Sequence, residues 1–221
     1  MKFWHISDTH GLHWHLDIPS PDEVDGILFT GDMSNQRDPY LNKEECITFL
    51  EWVKSLPYKY KIGIPGNHDT SIEKGLITKE QILNDYDFIL LVNESITVEG
   101  IKIYGSPVTP TFGFGWAYNA KQNKINKFWS SIPKDTEILL THGPPKELLD
   151  TTRDFVNAGC KHLYNTILTL PKLKYSLFGH IHEDGGKILK TSKTGDVQFI
   201  NGSIVNLRCT SVEHNGFIIE V

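Results

Sequence analysis

The sequence predicts an α/β fold, a mixed sandwich, on three observations. Short apolar runs of strand length alternate with a few helix-periodic stretches. Strands and helices interleave early, and strands cluster late. Five apolar runs end directly in a polar motif, and α/β sheets bind ligands beyond the carboxyl ends of their strands. With 221 residues, the chain is expected to be one domain over 1–221 with a sizeable core.

Strands are expected at Lys2–Ser7, Gly26–Thr30, Tyr60–Pro65, Phe88–Leu91, Ile101–Tyr104, Glu137–Thr141, Tyr175–Phe178, Val197–Asn201 and Gly216–Val221. Each is a short run bounded by turn residues. Helices are expected over Lys43–Ser55, Lys79–Asp85, Lys121–Ser131 and Lys161–Leu170. In the first, Cys46, Phe49, Leu50 and Val53 recur on one face; in the last, Leu163, Ile167 and Leu170 do so. The loop "GSPVTPTFGFGWAYN" is long and rich in Pro, Gly and aromatics.

The formal charge of −5 gives no basic field to hold a long nucleic acid. The basic run Lys121 to Lys127 reads as a solvated helix face. Cys46, Cys160 and Cys209 are scattered in no metal-type spacing and read as reduced thiols. No apolar run approaches bilayer length and the N-terminus lacks a signal-peptide pattern, so a soluble, cytoplasmic protein is expected.

The five motifs carry the chemistry. "FWHIS" leads into Asp8 and His10, "GILFT" into Gly31-Asp32, and "YKIGIP" into Gly66-Asn67-His68-Asp69. "EILLT" leads into His142-Gly143, and "YSLF" into Gly179-His180-Ile181-His182. Along extended chain, residues two apart point the same way, so Asp8/His10 and His180/His182 can each aim at one centre. Asn67 and His68 are adjacent and should point apart. Four histidines, two aspartates and one asparagine exceed one four-coordinate ion and suit two that share a bridging carboxylate. With no thiolate in the set, Mn, Fe, Co or Zn are the metals favoured. Such a centre attracts phosphate and makes hydroxide available near neutrality. Any one motif alone would read as a turn or a hydrogen-bonded histidine; the five together do not.

The string D-x-H, G-D, G-N-H-[DE], a lone strand-end H and G-H-x-H resembles that of the calcineurin-like metallophosphoesterases. Within that superfamily "SDTHG", "IYGSP", "THGPP", "FGHIHE" and "INGS" resemble the metallophosphoesterase-domain-containing phosphodiesterases. The resemblance implies a four-layer α/β/β/α sandwich with mixed sheets and a dinuclear centre of two divalent ions, Mn foremost. By position, Asp8, His10 and His182 would hold one metal, Asn67, His142 and His180 the other, and Asp32 would bridge them. His68 would assist the leaving group while a metal-activated hydroxide attacks phosphorus in line. Asp69 would orient a neighbour or, the favoured reading, be an exposed turn residue. Phosphoprotein phosphatases of the superfamily carry G-D-x-V-D-R-G, whereas this chain reads "GDMSNQRD". Asn35 stands where their second aspartate falls, Arg37 is shifted to an expected surface position, and what orients His68 is left open.

The implied activity is a phosphodiesterase acting on small phosphate esters, cyclic nucleotides first. A nucleotide phosphomonoesterase, a nuclease and, with less support, a non-catalytic scaffold are the alternatives. Neither a membrane nor long nucleic acid is expected as partner, and the oligomeric state is left open. Phe112, Phe114, Trp116 and Tyr118 can stack on a base or pack on one another. The substrate-contact candidates are therefore Phe112, Trp116 and His13, the last as a neighbour of the mouth. His5 is expected in the core, and His15 off the metals.

Overall fold

The computed structural model describes residues 1–221. In chain order the strands are β1 Lys2–Ile6, β2 Gly26–Phe29, β3 Tyr60–Gly63, β4 Ile89–Leu90, β5 Glu94–Val98, β6 Ile101–Ser106 and β7 Thr109–Pro110. They continue as β8 Asn119–Ala120, β9 Ile138–Thr141, β10 Tyr175–Phe178, β11 Lys187–Lys190, β12 Gln198–Asn201 and β13 Phe217–Glu220. The α-helices are α1 Pro39–Ser55, α2 Thr70–Glu73, α3 Lys79–Tyr86, α4 Gln122–Trp129 and α5 Lys161–Ile167.

One sheet has the order β13-β1-β2-β3-β4, and the other β11-β12-β10-β9-β6-β5. Their central strands are parallel, while β13, β11 and β5 pair antiparallel at or near the edges. Alternation along each strand builds the layers. Trp4, Ile27 and Phe29 face α1 through Phe49, Leu50 and Trp52. Phe3 and Leu28 face the other sheet through Ile138, Leu140 and Leu177. Leu139, Phe178 and Phe199 pack outward on Ile125, Trp129 and Leu163 of α4 and α5. The result is the expected α/β/β/α sandwich.

Some boundaries differ. Helix α1 starts at Pro39, because Asp38 accepts hydrogen bonds from the amides of Tyr40 and Leu41 and proline is suited to the first helical turn. Strands β5 and β11 were not expected. Strand β5 has exposed Ser95 and Thr97 on one face, and β11 is mostly exposed with a lysine on each face, so neither shows a continuous apolar run. The parallel strands β1, β2, β3, β9 and β10 all end at one edge of the sandwich, where a bridge between Ser7 and Ser203 joins the two sheets. No helix is long and apolar enough to cross a membrane.

Candidate metal centre

The loops that leave these five strands supply the site. Asp8, His10, Asp32 and His180 each take a left-handed backbone, with φ between 45° and 69°. Such strain in non-glycine residues is held only where surrounding contacts impose it, and it concentrates at functional sites. Their convergence therefore comes from tight left-handed turns rather than from strand alternation. The expectation that His180 and His182 aim at one centre is corrected on the same ground. His182 Nε2 lies 3.4 Å from His10 Nε2 and from Asp8 Oδ1, whereas the His180 ring packs 4.9 Å from His142. Asn67 and His68 do point apart: Asn67 Oδ1 meets His142 Nε2 at 2.8 Å, and the His68 ring sits against Trp116.

Two glycines are required by close approach. A Cβ on Gly66 would collide with Asp32, and one on Gly179 with Asp8 and Ser7.

Asp32 stands between the two clusters, with Oδ2 3.7 Å from His10 Nε2 and 3.3 Å from His142 Nε2. Its other oxygen accepts the His68 amide at 2.7 Å. His10 and His142 each direct Nδ1 to a backbone carbonyl, of Ser34 at 3.0 Å and Thr30 at 2.8 Å. A donating Nδ1 leaves the Nε2 lone pair facing the centre. His142 Nε2, Asn67 Oδ1 and Asp32 Oδ2 are thus three acceptors turned on one another. Either a proton on Nε2 or a cation held between them makes that arrangement favourable, and three such donors on one point suit a divalent metal.

The electrostatics agree. Burial alone would lower His142, but the adjacent Asp32 carboxylate raises it to about 9. Burial is likewise outweighed at His182, where Asp8 and Cys209 raise it to about 11. Opposed by the same burial, the histidines hold Asp8 and Asp32 below the usual carboxylate range. His180 falls to about 3 and His68 to about 4, in both cases foremost through burial. The centre draws positive charge wherever a lone pair meets a carboxylate.

Asp69 is fully buried rather than exposed, because its carboxylate is the clamp of two loops. It accepts amide hydrogen bonds from Asp32 (3.1 Å), Met33 (2.9 Å), Ser34 (3.3 Å) and Gly66 (2.6 Å). Burial and the nearby Asp32 push its carboxyl up to about 7. Helix α1 adds further ties that the sequence reading missed. Asn42 donates to the His68 carbonyl at 2.7 Å, and Glu45 accepts from the Ser34 hydroxyl and the Asn35 amide. Cys209, also missed, puts Sγ 3.9 Å from His182 Nδ1. Its position in a loop remote from every motif left no local signal.

His13 does not reach the mouth. It is fully buried against Phe49, Trp52 and Trp14, with both ring nitrogens unpartnered. The short 3₁₀ turn at His13–His15 sends it inward, which corrects the expectation of substrate contact. Phe112, Trp116, His68 and Arg153 do line a cavity of about 340 Å³ above the donors. A second cavity, about 540 Å³, adjoins it across Phe112, His180 and Glu183. Phe114 is 97% exposed and touches neither.

His5 is a core residue, with Nε2 3.1 Å from Thr30 Oγ1. Burial, then the proximity of His214, pushes its pKa down to about 3 from an ordinary value of 6.5. Its folded-state contribution is whole above the unfolded value and shrinks by about 1.4 kcal/mol per unit as pH falls towards the folded one. Urea unfolding between roughly pH 7 and pH 5 tests this: His5→Gln should lose less stability on acidification than the wild type. Parallel curves would remove His5 as the cause.

A profile of the family described as calcineurin-like phosphoesterase matches residues 1–184. Metallophosphoesterase domain-containing protein 1 of Homo sapiens is 30% identical over 227 residues, covering 92% of this chain and 66% of that protein. The chain thus spans just under two thirds of that relative's length. One solved structure superposes with a TM-score of 0.72 at 14% identity, covering 91% of this chain and 90% of its own. A dimetal phosphatase from Danio rerio superposes with a TM-score of 0.55 at 10% identity, covering 91% and 86%. At these identities the structural likeness is one of fold.

Proposed function

The chain belongs to the calcineurin-like phosphoesterase family, and on that premise we propose that it is a dinuclear metal-dependent phosphodiesterase. The observation that carries this reading is Asp32 Oδ2, shared between His10 and His142 on the floor of the cavity. Asp8, His10 and His182 would hold one divalent ion, Asn67, His142 and His180 the other, and Asp32 both. Two such ions supply Lewis-acid polarisation of phosphoryl oxygens and hydroxide near neutral pH. Mn is the metal proposed, with Fe, Zn or Co as alternatives.

The chain's own residues do the rest. Arg153, on the cavity wall, offers a cation to the anionic phosphate. His68, which puts a ring nitrogen within 4.8 Å of donor atoms of His10 and Asp32, would stay off the metals. Uncharged near neutral pH because burial lowers its pKa to about 4, it would offer its ring N–H to the leaving oxygen. The two cavities meeting beside His180 leave room for both ester arms, which favours a diester over a monoester. Cyclic nucleotides are the diesters proposed, since they are compact and Phe112, 36% exposed, offers a partly open aromatic ring.

Chelation should abolish hydrolysis of bis(p-nitrophenyl) phosphate, and Mn²⁺ should restore it. Activity that survives chelation would sink the metal mechanism. The diester should outpace p-nitrophenyl phosphate; the reverse order would make the protein a phosphomonoesterase. A panel of 2′,3′- and 3′,5′-cyclic nucleotides, with products identified, tests the substrate class.

A further inference from the structure

Asp32 lies near His68 but no carboxylate hydrogen-bonds its ring, and Asn35 is exposed with its amide tied to Glu45. His68 Nδ1 is buried and has no hydrogen-bond partner. Its backbone is well held, but nothing polar fixes the ring about its own torsions. An unrestrained imidazole would sample several rotamers, and a proton donor must stay within hydrogen-bond reach of the leaving oxygen.

The ring is instead enclosed by other rings. His10 meets it at 4.6 Å in a T-shaped contact of 78°. Trp116 lies 4.5 Å away at 41°. Arg37 Cζ in turn sits 4.1 Å from the Trp116 centroid, in cation–π contact. Arg37 is absent from the cavity lining, so it acts on the site through the indole. The aromatic loop is fastened to the histidine's own segment: the Ala117 amide donates to the Asn67 carbonyl at 2.9 Å, and the Tyr118 amide to Glu73 Oε1 at 2.6 Å. Trp116 is therefore held in register with His68 by the residues on either side of both. With Arg37 and His68 both packed on its ring, the indole is poorly placed to stack on a substrate base.

We propose that Trp116, backed by Arg37, is the positioning residue that holds the His68 imidazole at the leaving oxygen, in place of a carboxylate partner. The inference rests on the proposed role of His68. A leaving group that needs no proton should not feel the loss of this support, whereas one that does should.

The test uses metal-loaded enzyme on bis(p-nitrophenyl) phosphate, whose leaving group is weakly basic, and on diphenyl phosphate, whose leaving group is more basic. Trp116→Ala should lose at least about tenfold more kcat on diphenyl phosphate than on the nitrophenyl ester, with KM little changed. Trp116→Phe should recover much of the loss. Arg37→Gln, at an exposed residue, should shift the ratio in the same direction by less, so the result does not depend on the loop surviving Trp116→Ala. In metal-free protein the His68 ring-proton resonance, assigned by its loss in His68→Gln, should move downfield in Trp116→Ala as the indole ring current is removed.

Equal losses on both substrates, a loss confined to KM, or an unmoved His68 resonance would overturn the positioning role. The parent reading is tested in parallel: His68→Ala should itself show the leaving-group dependence. If it does and Trp116→Ala does not, only the positioning role falls. If His68→Ala shows none, the leaving-group role fails and this inference with it.

Discussion

Asp69→Ala is expected to destabilise the protein by on the order of 4 kcal/mol or more and to disorder both loops that carry the proposed ligands Asp32 and Asn67. Four backbone N–H groups, from Asp32, Met33, Ser34 and Gly66, converge on this one carboxylate. All lie where water cannot replace the lost acceptor, and each buried donor left unpaired costs about 1–3 kcal/mol. Three of the donors belong to, or adjoin, proposed ligands: Asp32 itself, Met33 beside it and Gly66 beside Asn67. Loss of stability and loss of metal should therefore appear together. Asp69→Asn keeps one acceptor oxygen but turns an NH₂ group towards two of the amides, so it should recover little. Thermal melting and metal titration of the variants check both effects. A variant that melts with the wild type and binds the same metals would show that the loops hold themselves.

Asp32→Asn should lower kcat by on the order of 10³-fold or more, which corresponds to about 4 kcal/mol of transition-state stabilisation. It should also reduce the bound metals from two to at most one tight ion. The remaining carbonyl oxygen can still accept the His68 amide, the role of Oδ1, so the fold should persist. The charge that faces both His10 Nε2 and His142 Nε2 is what disappears. Metal stoichiometry after gel filtration, with steady-state rates on bis(p-nitrophenyl) phosphate, measures both consequences. Two tightly held ions with an undiminished rate would remove Asp32 as the shared ligand.

The strand-end motifs were legible because their signal is local: an apolar run, a turn, then a donor. Strands β1, β2, β3, β9 and β10 fall within a residue or two of their expected spans. Strands β5 and β11 were not legible, since most of their residues are exposed or half-exposed and no apolar run of their own marks them. Among the site residues, Asp69 reads in sequence as a turn aspartate. Only packing reveals that the loop after β2 folds over it. His13 and His10 look alike in a histidine-rich stretch, yet a 3₁₀ turn sends one into the aromatic core and a left-handed residue sends the other to Asp32.

By itself, the sequence determined which donors exist and that they sit at strand ends, because residue identity and hydrophobic periodicity are local properties of the chain. Only the tertiary structure decided which donors lie against one another, which are buried, and that Trp116 packs on His68 with Arg37 over the indole. Those outcomes depend on left-handed turns and on contacts between segments as far apart as Asp8 and His182, which no local pattern records.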